Sequence, residues 1–142
     1  MSIDIIHVPN DSVHKVWLDV QPLLEHSLLQ FDSRVTLEEI FDKVLNGTFY
    51  LVVVLMDKRI TGVFITSVER YSNKKVFFIN MAVGENIERW KDEIVAFMIK
   101  GAKALDCDMI EWRGRPGFMK VFKDICKVKH VSMIYELEKE NG

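Results

Sequence analysis

Two arginines flank a glycine in the run Trp112-Arg113-Gly114-Arg115, and Pro116-Gly117-Phe118 follow directly. Two guanidinium groups projected from one turn form a fork for a carboxylate or a phosphate. Gly114 and Gly117 allow backbone shapes that other residues resist, and Pro116 restricts the chain before it folds. Trp112, Arg113, Arg115 and Phe118 are therefore candidate partner-binding residues, a preorganised cationic and partly aromatic surface suited to an acidic partner. The same turn has a plain structural use. Pro116 and Gly117 can shape a helix start, with the arginines paired to acids such as Glu111.

Other reactive types are sparser. Cys107 and Cys126 lack an adjacent base and an oriented third group, which a nucleophilic cysteine needs, so both are expected as buried thiols in a reducing compartment. Neither belongs to a C-x-x-C pair, and the four histidines (His7, His14, His26, His130) are scattered, so no metal site is expected. The formal net charge of -2, from 19 basic and 21 acidic residues, gives no surplus for collecting a phosphate backbone. Nucleic acid is not an expected partner. The longest apolar stretch, Phe49 to Met56, is too short to span a bilayer, and Met1-Ser2-Ile3-Asp4 does not open a secretory signal. A cytoplasmic protein is expected, with no membrane partner.

The elements that must position these residues follow from periodicity. Ile3 to Val8 is β-rich and stops at Pro9-Asn10, and Asn10, Asp11 and Ser12 can each cap a helix. That helix carries Val13, Val16, Trp17, Val20, Leu24, Ser27, Leu28 and Phe31 on one face, and Pro22 is expected to kink or split it. Thr36-Leu37-Glu38-Glu39 is a capping box for a second helix ending at Asn46-Gly47. Thr48 to Met56, Ile60 to Tyr71 and Lys75 to Val83 form an antiparallel meander, with Asp57-Lys58 and Ser72-Asn73 as turns and a bulge at Gly62. A long helix follows Gly84-Glu85-Asn86, with Ile87, Trp90, Ile94, Phe97, Met98, Gly101, Ala102 and Leu105 facing the core. Met109 to Trp112 is a short strand, Phe118 to Ile125 a short helix, and Lys129 to Leu137 a last strand. The 142 residues contain no linker or repeat, so one α/β domain is expected, its sheet mixed and mostly antiparallel with helices on both faces.

This order resembles the acyl-CoA N-acyltransferase (GNAT) superfamily over nearly the whole chain. In that family a loop of the form R/Q-x-x-G-x-G/A follows the fourth strand. Its amides and the next helix N-terminus hold the pyrophosphate of acetyl-CoA. Met81, Ala82, Val83, Gly84 and Arg89 take that place here, with one glycine, and with Glu85 and Glu88 where the phosphates would sit. The family also places a tyrosine, the general acid to the departing thiolate, on the short helix after the fifth strand. Phe122 falls there; Tyr135 on the predicted last strand is a candidate substitute, and its position is more simply that of a sheet residue. Glu69 and Glu111, on strands beside the cleft of such a fold, are the candidates for deprotonating an amine.

Gly114-Arg115-Pro116-Gly117-Phe118 adds a narrower resemblance, to small bacteriophage and prophage proteins with a GNAT-like outline. The expectation is a phage-type, cytoplasmic or virion-associated GNAT-like protein that binds a protein partner and transfers little or no acetyl. The alternative is an N-acetyltransferase using acetyl-CoA, with Glu69 or Glu111 as base. A third possibility is a small-ligand sensor that keeps the cleft without the chemistry.

Overall fold

The first hairpin of the meander turns on two residues of unusual backbone, Asp57 (φ 52°) and Lys58 (φ 69°). Two positive φ values in succession give the tight reversal whose twist matches antiparallel strands. The tip is also tied to the N-terminus. Ser2 donates its amide to Asp57 Oδ1 at 2.9 Å, and the Asp57 amide donates to the Ser2 carbonyl at 2.9 Å. The computed structural model describes residues 2–31, 35–113, 120–129 and 133–139, with the backbone alone at 29–31.

Among these residues the order is β1 (Ile3–Val8), a 3-10 turn (Asn10–Ser12), α1 (Val13–Phe31), α2 (Leu37–Leu45), β2 (Tyr50–Met56), β3 (Arg59–Arg70), β4 (Lys75–Gly84), α3 (Ile87–Ala104) and β5 (Met109–Trp112). The strands form one sheet in the order β1-β2-β3-β4-β5, antiparallel except for the parallel pair β4–β5. The expected architecture is thus observed: a mixed, mostly antiparallel sheet with helices on both faces. Thr36 caps α2 as expected, its hydroxyl accepting from the Glu39 amide at 3.1 Å.

Period-2 alternation sorts the sheet residues into two cores. On one face Val53, Val63, Ile65 and Val83 pack with Val20, Leu24, Ile40 and Val44 of α1 and α2. On the other, Val54, Phe64, Phe77 and Ile79 pack with Trp90, Ile94 and Met98 of α3. Two bulges interrupt the register. Val54 faces Gly62 while Leu55 faces Ile60, so Thr61 is the extra residue, one position from the bulge expected at Gly62. Ile65 faces Met81 while Thr66 faces Ile79, which leaves Asn80 unopposed on β4.

Four expectations are corrected. Pro22 does not split α1, which continues to Phe31. Both Pro22 and Leu18, whose carbonyl loses its helical donor, lie on the solvent face, so water can satisfy that carbonyl. Cys126 is exposed and Cys107 is half-buried, so neither is a core thiol. Desolvation is nonetheless the leading cause that raises both thiol pKa values. Leu105, the C-cap of α3, is exposed because it stands past the last turn of the helix, whereas Phe97 is half-buried and packs against the core as expected. Residues 133–137 of the expected last strand are exposed and in no strand, since alternation makes a strand only where a neighbour supplies hydrogen bonds.

Trp90 is fully buried against Gly62 and Gly84, which face each other across β3 and β4. A Cβ on Gly84 would stand 2.8 Å from Trp90 Cζ2 and 3.0 Å from the Thr61 carbonyl oxygen, whereas one on Gly101 would meet nothing within 4 Å. Gly84→Ala is therefore expected to destabilise by about 1–3 kcal/mol through overpacking. Gly101→Ala, within α3, is expected to stabilise by about 0.5–1 kcal/mol. Urea denaturation of both variants beside the parent checks this. Equal midpoints for the two would refute the packing described for Trp90.

Candidate functional site

Among the described residues, strand pairing fixes how far β4 and β5 run together. The parallel register runs from Val76↔Met109 to Ile79↔Trp112, and the Arg113 amide still donates to the Ile79 carbonyl at 3.1 Å. The next residue of β4 is the bulged Asn80. Past it, β4 continues along β3 alone, among the described residues. The Glu85 amide donates to the Thr61 carbonyl at 2.8 Å, so Glu85 faces β3. Alternation then turns the backbone groups of Ala82 and Gly84 away from β3, toward the edge on which β5 pairs with the earlier part of β4. A bulge beside a free strand edge is a common way to open a ligand cleft.

The N-terminus of α3 lies at the end of this edge. Asn86, its N-cap, takes a left-handed backbone (φ 58°, ψ 35°) and makes no side-chain cap. Trp90 Nε1 donates to the Glu85 carbonyl at 2.8 Å, which fixes the loop over the indole. Met81 and Val83 alternate with Ala82 and point to the α1–α2 side. Gly84 is the residue that a phosphate loop would use for close approach, and here the approach is made by Trp90. Glu88 stands in the first turn of α3 and Arg89 one residue later. An acid there suits the helix dipole and opposes a bound diphosphate.

On the α3 side, aromatic rings run from one element to the next. Phe64 meets Trp90 edge-on at 5.8 Å and Trp112 edge-on at 5.9 Å. Trp112 lies tilted on Phe122 at 4.2 Å, and the Lys91 ammonium sits 5.9 Å from the Phe122 ring. Phe122 belongs to a helical turn at residues 120–122 and is 3% exposed. A phenyl ring here has no proton to donate.

The opposite face gathers the polar candidates. Register sets Ser67 beside Phe78 and Phe78 beside Glu111, with Glu69 one alternation along β3. Tyr71 donates its hydroxyl to Glu69 Oε2 at 3.0 Å. Asn80 Nδ2 donates to Ser67 Oγ at 2.8 Å, so the bulge also has a side-chain brace. Arg113 stacks its guanidinium over the Phe78 ring at 4.2 Å, with Nε 3.6 Å from Glu111 Oε2. The structure thus brings Glu69, Glu111 and Arg113 together and adds Tyr71, Phe78 and Asn80. Tyr71 was legible in principle, because residues two apart on a strand share a face.

It does not bring Trp112 and Arg113 together. They are neighbours on β5 and its extension, so they point to opposite faces. Tyr135 is 87% exposed and lies outside the described strands. Arg115 and Phe118 fall outside the described residues. Among the described residues no group of three His, Cys, Asp or Glu is placed to hold a metal, and no helix is long and apolar enough to cross a membrane.

The Tyr71 phenol has its pKa raised above the ordinary 10.0, first by its hydrogen bond to Glu69, then by desolvation and by the charges of Glu69 and Glu111. The bond belongs to the protonated phenol, so removing the acceptor removes that preference. Glu69→Ala is expected to bring the Tyr71 titration down toward 10.0. Ultraviolet titration of tyrosinate, with Tyr71→Phe to assign the step, reads the change. An unmoved or rising pKa in Glu69→Ala would mean that the pair does not form.

No family model and no curated protein sequence matches the chain. Solved structures do. A ribosomal-protein-alanine N-acetyltransferase from Brucella melitensis biovar Abortus 2308 aligns with a TM-score of 0.71 at 12% identity, over 96% of this chain and 100% of that one. An aminoglycoside acetyltransferase from an uncultured soil metagenomic sample aligns at 0.67 and 17%, over 96% and 97%. A predicted acetyltransferase with acetyl-CoA from Clostridium acetobutylicum aligns at 0.66 and 9%, over 96% of each. With the bulged β4, the parallel β5 beside it and α3 connecting the two, the chain has the fold of the GNAT acetyltransferases.

Proposed function

We propose that this chain is a GNAT-fold binding module that engages a protein partner and carries out little or no acyl transfer. The observation that carries the reading is Phe122. It stands where the resemblance sets the general acid, and its ring is buried on Trp112 at 4.2 Å. Without a proton donor, a departing CoA thiolate gains no general-acid assistance, a contribution of roughly 10²–10⁴-fold elsewhere. The setting of Gly84 supports the same reading, because the indole of Trp90 covers the face on which its Cβ would project. The partner surface is assigned to the turn from Arg113 to Phe118, with Arg115 as the cation to test. The resemblance of that turn to phage proteins supports a host cytoplasm or a virion as the module's setting.

One observation favours a second reading, an acetyl-CoA-dependent N-acetyltransferase. The β4 edge at Ala82 and Gly84 keeps its backbone groups turned away from β3, and Glu69 and Glu111 lie on the sheet beside it. A neighbour of the same fold was solved with acetyl-CoA, which makes that cofactor the one to test.

Two measurements separate these readings. Calorimetric titration of the purified chain with acetyl-CoA is expected to show no binding in the micromolar range. A micromolar dissociation constant would overturn the binding-module reading and leave the enzyme standing. Arg115→Ala is expected to keep the parent's thermal midpoint and to lose most of the co-isolated partner when tagged forms are recovered from the native host. Unchanged recovery from a folded variant would remove the turn as the binding surface.

A further inference from the structure

We draw no further inference here: the strongest candidate, the exposed apolar run of Met133, Ile134, Tyr135 and Leu137 beyond the helical turn at residues 120–122, carries nothing because nothing in the structure shows what covers it.

Discussion

Trp90 lying across the Gly62–Gly84 pair is the contact on which the rest of the arrangement depends. The indole is the largest fully buried side chain among the described residues, and its N–H is satisfied by the Glu85 carbonyl. An indole that is buried and hydrogen-bonded fixes an angle as well as a distance. It sets α3 down on the sheet, holds the loop from Gly84 to Asn86, and sends Phe64 on toward Trp112. Side chains on either glycine would lift the helix off. The same contact therefore settles the packing of that face and keeps both positions without a side chain.

The two faces of the sheet divide the labour differently. Toward α3 the chain is aromatic and closed, from Trp90 through Phe64 and Trp112 to Phe122. Toward α1 and α2 the core gives way, near the end of β3, to Glu69, Tyr71, Glu111 and Arg113, which satisfy one another in pairs. Arg113 shields Phe78 as well as pairing with Glu111, so its guanidinium is a packing element as much as a charge. Fold and chemistry separate at this point. Likeness to acetyltransferases fixes the shape alone, and activity rests on particular side chains.

Much of the fold was legible because local chemistry and global placement agree. The meander announces itself by β-branched runs cut at Asp57-Lys58 and Ser72-Asn73, and α3 by its 3.6-residue stripe through Trp90, Ile94 and Met98. The misreadings share a physical cause. Pro22 breaks a helix only where the lost hydrogen bond cannot be replaced by water. Cys126 is small and apolar, yet it follows the helical turn at the surface. The opposed directions of Trp112 and Arg113 are implied by strand alternation, although they look like one patch when read in line. The gathering of Glu69, Tyr71 and Glu111 needs the register of β3, β4 and β5, and the β4–β5 pairing is made across the whole of α3, which composition does not announce. The turn at Gly114 to Phe118 lies outside the described residues, and its reading still rests on sequence.

The clasp between Ser2 and Asp57 has a consequence for the order of assembly. Strands β2, β3 and β4 meet across short turns, so each pairing costs little loop entropy. β1 is different, because both α1 and α2 lie between it and β2. Its closure is the most non-local pairing at that edge, and non-local contacts come late and slowly. The sheet is thus a template built from the middle outward, onto which the N-terminal strand is zipped last, with Ser2 as the fastener at the far end. A tail fused directly ahead of Ser2 would weigh on that fastener, and the first strand would be the earliest to detach as conditions turn against the fold.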